Sequence, residues 1–564
     1  MTSRFSRVRA LAGSALLLLM TFLAAPAAQA AVSDDEIARY ADQLFSQAFP
    51  AGEPGAAVLV AKDGKVLLRK GYGMANLELG VPIQPDMVFK IASVTKQFTA
   101  TAILMLQERG KLSVDDEITK YLPDYPTHGQ KITIHHLLTH TSGIPSYTSM
   151  PEWVPRWRED MTVQQAIDMF KGKPLDFNPG EKQSYSNSGY TLLGAIIEKA
   201  SGKSYEDFVE QEIFAPLGMK RSRYGHDTEL VPGRVTGYDR TEEGYRLAPY
   251  LSMTQPYSAG SLMSTVDDLA LWAEALSSGK LIRKESLERM TTPAKLTTGK
   301  PNNYAYGLAI WEEDGARIVE HDGGIPGFFS DLLSIPDGRL VVVVLSNKPP
   351  PTVPPAVLSF RVAMKALGKP VEERKAMELD PATLDEYVGV YRFDETLARM
   401  IYREGNRLVA QRTGGDRQEI LAMSRDEFFY PGLDSRIRFR RDAQGKITGM
   451  DFFQLFGPAV PAVKTDEPLP AERQVIQVDP SLYDGYAGVY ELAPGFLLTI
   501  TREGDHLMTQ ATGQPKFEIF PESETRFFLK VVDAQLEFQR GPDGKATGVT
   551  LYQGGRVVPG KRVQ

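Results

Sequence analysis

The chain has 564 residues, of which 42% are hydrophobic and 24% are charged, and its formal net charge is −7. This length exceeds what one hydrophobic core can organise, so it predicts several domains, and the composition is that of a soluble globular protein. The acidic balance argues against nucleic acid as a partner. The absence of cysteine excludes disulfides, a thiol nucleophile and thiolate metal sites.

The first thirty residues have the pattern of a secretory signal peptide. Three arginines precede an apolar stretch at residues 11–25, and Ala28-Gln29-Ala30 is a small-residue cleavage site. The stretch is shorter than the roughly 18 residues of a membrane-spanning helix, which argues against a permanent anchor. We expect residues 1–30 to be cleaved near Ala30, which leaves a periplasmic or secreted chain of net charge −10 with no stable membrane insertion.

A mixed pattern of strands and helices predicts a first domain over residues 31–369. In chain order it comprises a hairpin at 58–72, a helix beginning at 93, a mainly helical and loop-like stretch from 112 to 300 with helices at 187–199 and from 264, strands at 306–311, 316–320, 329–335 and 339–345, and a helix at 357–367. Strands at both ends with helices between them predict one antiparallel sheet flanked by helices, an α/β (α+β) arrangement.

Beyond a charged linker the chain repeats itself. The pentapeptide at 387–391, Tyr-Val-Gly-Val-Tyr, recurs at 486–490 as Tyr-Ala-Gly-Val-Tyr, an offset of 99 residues that other shared segments keep. Both copies alternate apolar and polar residues over short stretches bounded by glycine and aspartate, which is typical of small all-β units. We therefore predict two small antiparallel β-barrel domains, at 379–463 and 478–564, with a binding or structural role.

Ser93 and Lys96 form an S-x-x-K tetrapeptide at the predicted start of a helix. Residues three apart on a helix lie on one face, about one turn from each other. The amine can then hydrogen-bond the hydroxyl and help to make it a nucleophile. The spacing alone is not specific, since Ser277 and Lys280 form a second match at a predicted helix end.

Two rarer motifs follow Ser93 along the chain. Tyr185-Ser186-Asn187 is the only Y-x-N among 23 tyrosines, and His321-Asp322-Gly323, predicted to end a strand, is the only H-x-G among seven histidines. The order S-x-x-K, Y-x-N, H-x-G resembles the serine β-lactamase and penicillin-binding protein family. The resemblance is to its class C branch with related D,D-peptidases, D-aminopeptidases and esterases, and it covers residues 35–368.

The resemblance implies a β-lactamase-like transpeptidase fold and an acyl-enzyme mechanism. Ser93 would attack a carbonyl and become acylated, and Lys96 would keep Tyr185 or Ser93 deprotonated. Tyr185 would act as general base and later as general acid toward the leaving group. Asn187 would hydrogen-bond the substrate or Lys96. The backbone N–H groups of Ser93 and Gly324 would form the oxyanion hole.

The H-x-G segment is where the chain departs from the family pattern. His321 stands in place of the lysine of the family's K-T-G strand, and Asp322 stands in the middle position. With Gly323 and Gly324 these residues would border the substrate. An acid there should repel a substrate carboxylate, which disfavours efficient β-lactamase activity and favours a neutral ester or an N-terminal ammonium. A histidine in place of this lysine resembles the pattern of the D-aminopeptidase and esterase members. Some D-aminopeptidases also carry two C-terminal β-barrels.

Several residues allow simpler interpretations. Ser93 could be only a helix N-cap, Tyr185 a core aromatic, and His321 a satisfied histidine of a strand. His135, His136 and His140 include a pair with zinc-ligand spacing, but neither a third ligand nor an H-E-x-x-H pattern accompanies them. We expect no metal and no cofactor.

The sequence therefore predicts an exported serine hydrolase that acts through a Ser93 ester. Its substrates would be small amides or peptides with D-residues, or esters, and peptidoglycan fragments are candidate partners. A D,D-carboxypeptidase or weak class C β-lactamase is one alternative. A non-catalytic protein that binds peptidoglycan or another partner through its barrels is a second.

Overall fold

The computed structural model describes residues 32–564 apart from short gaps, so the predicted signal peptide lies outside the described residues. The gaps are at 151, 301, 314, 337–338, 351–352, 370–373, 396, 414, 416, 432–434, 455–458, 471–474, 494–495, 513–515, 533 and 554–555.

The first domain contains ten α-helices within the described residues. They are α1 (Asp34–Ala48), α2 (Thr95–Glu108), α3 (Ile134–Leu138), α4 (Val163–Asp168), α5 (Asn187–Ser201), α6 (Tyr205–Val209), α7 (Ala215–Leu217), α8 (Val266–Ser277), α9 (Lys284–Met290) and α10 (Pro355–Ala366). Side-chain caps mark the starts of α1, α3, α4, α6 and α8. A capping box between Ser33 and Glu36 opens α1, and the Thr265 side chain accepts the Asp268 N–H at the start of α8.

The strands of this domain form one large sheet and three small ones. They are β1 (Ala56–Lys62), β2 (Lys65–Tyr72), β3 (Met74–Asn76), β4 (Val81–Pro82), β5 (Phe89–Lys90), β6 (Arg223–Tyr224), β7 (Tyr238–Thr241), β8 (Gly244–Leu247), β9 (Leu262–Ser264), β10 (Ala309–Glu313), β11 (Ala316–Ile325), β12 (Phe328–Ile335) and β13 (Leu340–Ser346). The large sheet has the order β10-β11-β12-β13-β1-β2, and all of its pairs are antiparallel.

The predicted antiparallel sheet of the first domain is confirmed. Its edge strands are β2 from the N-terminal hairpin and β10 from the later group, and β13 pairs with β1 in the middle. Two details differ from the prediction. The stretch predicted to be helices and loops also carries the short strands β6 to β9. The strand predicted at 316–320, with the H-x-G segment at its end, is wrong in length. It continues to Ile325 because β11 and β12 form a hairpin whose turn contains Gly327 at φ +80°, a conformation that favours glycine.

The large sheet separates two hydrophobic cores. One face packs against α1 and α10, through Phe45 and Val362 among others. The other face packs against the helical region, where Phe98 of α2 and Ile196 of α5 are fully buried. Burial of both faces fixes the sheet between helical layers, and it holds the start of α2 against β11 and β12.

Two closed antiparallel eight-stranded barrels follow, as predicted. The first consists of β14 (Gly389–Arg392), β15 (Ala398–Glu404), β16 (Arg407–Arg412), β17 (Arg417–Ala422), β18 (Glu427–Phe429), β19 (Arg436–Arg441), β20 (Ile447–Phe453) and β21 (Val460–Thr465). The second, preceded by α11 (Tyr483–Tyr486), consists of β22 (Gly488–Ala493), β23 (Phe496–Glu503), β24 (His506–Ala511), β25 (Lys516–Pro521), β26 (Arg526–Leu529), β27 (Ala534–Arg540), β28 (Ala546–Gln553) and β29 (Arg556–Arg562).

The offset of 99 residues persists in the barrel cores. Tyr391 and Phe428 are buried in the first core, and Tyr490 and Phe527 occupy the corresponding positions of the second. The Tyr391 hydroxyl donates to the backbone carbonyl of Tyr387 at 2.7 Å, and the Tyr490 hydroxyl makes the equivalent bond at 2.6 Å. The repeats therefore share internal packing as well as strand order. None of the helices between residues 32 and 564 that the structure describes combines the length and apolarity of a membrane span.

Candidate active site

Ser93 lies where β5 leads into α2, in a single 3-10 turn at Ala92–Val94. Ala92 adopts φ +46°, a left-handed conformation that costs a non-glycine residue free energy. The Ser330 hydroxyl of β12 donates to the Ile91 carbonyl at 2.7 Å and ties this turn to the sheet. The structure thus holds Ser93 on a strained turn at the N-terminal end of a buried helix.

Lys96 lies in the first turn of α2 and is fully buried. Its Nζ donates to Asn187 Oδ1 at 2.8 Å and to the Ala259 carbonyl at 2.8 Å, and it lies 3.2 Å from Ser93 Oγ. Besides its bond to carbon, an amine nitrogen has three positions for N–H groups or a lone pair, and these three contacts occupy all of them. The lysine of the first S-x-x-K motif is therefore oriented toward its serine.

The chemistry of these three contacts favours a neutral amine that faces the serine. The Asn187 and Ala259 oxygens can only accept, so each requires an N–H of Lys96. The direction that remains for a lone pair is the one toward Ser93 Oγ, whose hydroxyl can donate. Burial lowers the pKa of Lys96 well below its ordinary value, and the negative charge of Asp322 opposes this only in part. The arrangement can accept the Ser93 proton.

Asn187 begins α5, and its amide is held in one orientation. Its Nδ2 donates to Thr148 Oγ1 at 3.1 Å, and its backbone N–H donates to Ser146 Oγ at 3.1 Å. The carbonyl end of the side chain therefore points to Lys96. Of the two roles that the family resemblance allows for Asn187, a bond to Lys96 is the one that this structure contains.

Tyr185 covers Lys96 on the side of the open cleft. Its side chain is 39% exposed, and the Lys96 Nζ lies 4.8 Å from the centroid of its ring. Surrounding protein raises the pKa of the Tyr185 hydroxyl well above its ordinary value. The hydroxyl is thus neutral at physiological pH and can donate a proton.

His140 supports Tyr185 from behind. It is fully buried in a left-handed conformation at φ +57°, and its ring centroid lies 4.2 Å from that of Tyr185. Its Nδ1 accepts the Ser186 N–H at 3.1 Å, and its carbonyl accepts the Ser184 N–H at 2.9 Å. Burial lowers the pKa of His140 well below its ordinary value. His140 therefore fixes the segment on both sides of Tyr185, through its neutral imidazole at Ser186 and through its backbone carbonyl at Ser184.

His321 lies within β11 and is 3% exposed. Its Nδ1 is 2.6 Å from the Asp322 carbonyl, which can only accept, so Nδ1 carries the proton. Its Nε2, 2.8 Å from the Tyr304 hydroxyl, is then the acceptor. Burial lowers the pKa of His321 to about 3. Both ring nitrogens of this neutral imidazole are engaged within the protein.

The rest of the H-x-G segment borders Ser93. A side chain at Gly323 would come within 2.9 Å of the Ser93 nitrogen and 2.6 Å of the Ile91 carbonyl, so only glycine fits this approach. At Gly324 the nearest atom would be 3.7 Å away. Asp322 keeps an exposed surface, although the surrounding protein raises its pKa.

One edge of β11 is open beside this segment. The pairing with β10 ends at Glu320, so the strand from Asp322 to Ile325 pairs only with β12 among the described strands. An unpaired strand edge can take up an extended backbone. The site can therefore hold a peptide-like chain alongside Ser93.

The three clustered histidines do not converge. His135 Nδ1 lies 2.7 Å from the Tyr306 hydroxyl, and His136 Nδ1 accepts the Thr133 N–H at 3.3 Å. His140 serves the Tyr185 segment instead. In the part of the chain that the structure describes, no group of three or more histidine, aspartate or glutamate side chains could hold a metal ion.

Sequence reasoning missed three aromatic or imidazole residues of the site. Tyr304 bonds His321, Tyr190 lies with its ring 5.3 Å from the Lys96 Nζ, and His140 supports Tyr185. The left-handed conformation of His140 has no sequence signal, and Tyr304 stands in no motif. These residues meet the others only through the fold.

Comparisons with known proteins match both the first domain and the barrels. A family model described as Beta-lactamase matches residues 41–366, and a second, described as Domain of unknown function (DUF3471), matches residues 373–467 and again 472–560. Penicillin-binding protein 4* of Bacillus subtilis (strain 168) is 32% identical, over 68% of this chain and 89% of its own length. D-aminopeptidase of Gluconobacter oxydans (strain 621H) is 30% identical, over 59% of this chain and 63% of its own length.

Solved structures show the same fold. The octameric penicillin-binding protein homologue from Pyrococcus abyssi superposes with a TM-score of 0.55 at 28% identity, covering 76% of this chain and 99% of its own. The D-amino acid amidase from Ochrobactrum anthropi SV3 complexed with L-phenylalanine amide gives a TM-score of 0.52 at 25% identity, over 59% of this chain and 99% of its own. Fold and site define a serine hydrolase with a transpeptidase-like sheet. The chain belongs to the β-lactamase family.

Proposed function

We propose that this protein is an exported hydrolase that acylates Ser93 with small amides or peptides containing D-residues, or with esters. The observation that carries the proposal is the environment of Lys96. Two fixed acceptors hold its N–H groups, and its remaining direction points to Ser93 Oγ at 3.2 Å. An activated serine needs an adjacent base of this kind.

Acylation follows from the contacts of Ser93. The Ser93 proton passes to the Lys96 lone pair as Oγ bonds to the substrate carbonyl carbon. The resulting oxyanion would lie between the backbone N–H groups of Ser93 and Gly324, and each such donor is typically worth about 2.7–4 kcal/mol. The C–N or C–O bond to the leaving group then breaks and leaves the Ser93 ester, which water hydrolyses.

Tyr185 is the donor best suited to the leaving group. Its hydroxyl is neutral because its pKa is raised, and its side chain is exposed. Because the amine or alkoxide that departs must gain a proton, a neutral phenol at the cleft wall performs this step. Lys96 then passes the proton that it took from Ser93 to Tyr185. Hydrolysis of the ester frees Ser93 and regenerates the site.

Substrate selection is proposed to lie in the H-x-G segment. The open edge of β11 suits an extended peptide, and the charge of Asp322 disfavours a carboxylate next to it. The engaged nitrogens of His321 support a positioning role for this residue. The similarity to a D-aminopeptidase and to a D-amino acid amidase supports D-residue amides as the substrate class. Export rests on the signal-peptide pattern of residues 1–30.

Covalent labelling tests this proposal. The mature protein is treated with a fluorophosphonate and, separately, with a labelled penicillin, and the adduct is mapped by mass spectrometry. We expect the fluorophosphonate on Ser93 and slower or no labelling by penicillin. The second S-x-x-K motif provides an internal control, because Ser277 should stay unlabelled. An unmodified Ser93 under both reagents would refute the hydrolase proposal, and rapid penicillin labelling would favour the D,D-carboxypeptidase or β-lactamase alternative.

A further inference from the structure

A buried arginine stands at one end of the first barrel. Arg399 on β15 is 9% exposed and lies two residues before Ile401, which is fully buried in the barrel core. Because alternate residues of a strand share a face, both side chains point into the barrel. Arg399 is the second residue of β15, so it lies near one end of the barrel, here called the barrel mouth.

Among the residues that the structure describes, the guanidinium of Arg399 has aromatic partners and no acidic one. It donates through Nη1 to the Tyr430 hydroxyl, and its Cζ lies 3.8 Å from the centroid of the Phe452 ring. Its Nε is buried without any hydrogen-bond partner. Among the ion pairs of the described residues, none involves Arg399 or Arg412, the residue directly opposite on β16. A buried cation with an idle donor is costly unless an anion accompanies it.

The second barrel shows that the fold does not need this cation. Its strands pair in the same register, so the corresponding residues can be read directly from the offset of 99. Arg399, Arg412, Tyr430 and Phe452 correspond to Leu498, Ala511, Leu529 and Leu551. All four of these apolar residues pack on the core of the second barrel. Only the first barrel carries the charge in place of apolar packing.

We propose that the mouth of the first barrel binds a small organic carboxylate with an apolar or aromatic body. The planar guanidinium matches a carboxylate, and its free Nε–H is the donor that the ligand would occupy. Arg412 would add a second positive charge. The rings of Tyr430, Phe452 and Phe393 would surround the body of the ligand. This site is separate from the Ser93 cleft and does not depend on the proposed hydrolase activity.

Titration calorimetry on the full mature chain tests the proposal, with Ser93→Ala in every sample to prevent turnover. Benzoate, its neutral counterpart benzamide and inorganic phosphate are the probes. We expect saturable binding of benzoate and at least tenfold weaker binding of benzamide and phosphate. Tighter binding of phosphate than of benzoate would show that the barrel mouth takes up an adventitious anion only, which would overturn the proposal.

Variants locate the binding. Arg399→Leu, which installs the residue of the second barrel, should abolish benzoate binding and raise the melting temperature of the ligand-free protein, because it removes an uncompensated buried charge. A purely structural arginine would instead lower that temperature. Lys530→Leu is the matched control, since Lys530 also stacks on an aromatic ring, at 3.6 Å from Phe520, but is exposed. It should bind benzoate like the parent protein.

A milder pair of changes keeps the test decisive if Arg399→Leu does not fold. Arg399→Lys retains the charge without the planar fork, and Arg412→Ala removes the opposite charge at an exposed position. Each should weaken benzoate binding several-fold. Unchanged affinity in both variants would show that benzoate binds elsewhere and would sink the proposal.

Discussion

Ser93 and Lys96 lie across the start of a helix, whereas Ser277 and Lys280 lie across the end of one. α8 ends at Ser277, and Gly279 turns the backbone away at φ +68°. The Ser277 hydroxyl donates to the Glu274 carbonyl at 3.0 Å of its own helix. Lys280 is exposed. The same spacing therefore gives a shared helix face only in the first case.

Burial gives Lys96 a different chemistry from that of Lys280. Lys96 is fully buried among fixed acceptors, so its proton affinity is lowered and its orientation is set. Lys280 is surrounded by water, which supplies neither constraint. The chemistry of an S-x-x-K motif therefore depends on the elements that bury it, and four pairs of substitutions test these contributions.

The largest expected effect is the loss of activity on removal of the Ser93 hydroxyl, with removal of the Ser277 hydroxyl as its control. Ser93→Ala should lower kcat/KM for D-alanine p-nitroanilide or p-nitrophenyl acetate by at least about 10⁴-fold, because the nucleophile is removed. Ser277→Ala should leave both rates within twofold of the parent. Steady-state kinetics on the two variants measures this contrast. Comparable losses in the two variants would erase the distinction between the motifs.

The second-largest expected effect is the loss of activity on replacement of Lys96, in contrast to replacement of Lys280. Lys96→Met keeps the apolar stem and removes the amine, and we expect a loss of about 10²–10⁴ in kcat/KM. In the parent enzyme the rate should rise with pH, because only deprotonated Lys96 accepts the Ser93 proton, and this limb should vanish in the variant. Lys280→Met should keep the parent rate and pH profile. Stopped-flow acylation from pH 5 to 10 provides the measurement, and an unaltered acid limb in Lys96→Met would assign it to another group.

Asn187→Asp tests the acceptor that orients Lys96. A carboxylate 2.8 Å from Nζ favours the ammonium form, so the pKa of Lys96 rises. The acid limb of the pH–rate profile should move to higher pH by about 1–3 pH units, with about a tenfold loss of rate per unit below it. Asn178→Asp, on an exposed loop, adds the same charge and should not move the limb.

His140 should have the smallest effect of the four. His140→Phe keeps the ring against Tyr185 but leaves the Ser186 N–H without its acceptor, at a typical cost of about 1–3 kcal/mol. We expect about a five- to tenfold fall in kcat with little change in KM, because Tyr185 is displaced. His140→Asn restores an acceptor near the Nδ1 position and should recover much of the rate. Equal kcat values for Phe and Asn would contradict the positioning role.

The family and its site motifs were predictable because they depend on local chemistry. The spacing of Ser93 and Lys96, the Y-x-N segment and the H-x-G segment can all be read along the chain, and the offset of 99 residues identified the paired barrels. The length of β11 was not predictable, since two glycines after His321 resemble a strand end. Only the pairing with β12 extends the strand through them.

The contacts that give the site its chemistry join distant parts of the chain. Lys96 bonds Asn187 and Ala259, which are 91 and 163 residues away. The neutral state of His321 depends on its burial beside Tyr304, and no motif marks that tyrosine. Proton affinities depend on burial and on partners, and neither is a property of a short sequence segment.

By itself the sequence determined which residues could react, the order of the domains and the repeat of the barrels, because composition, spacing and periodicity are local. The tertiary structure decided which of two identical spacings became a buried pair, which way the Lys96 lone pair points, and that Arg399 stands uncompensated where the other barrel has leucine. Those outcomes depend on desolvation and on the direction of hydrogen bonds, which arise only when separate segments pack together.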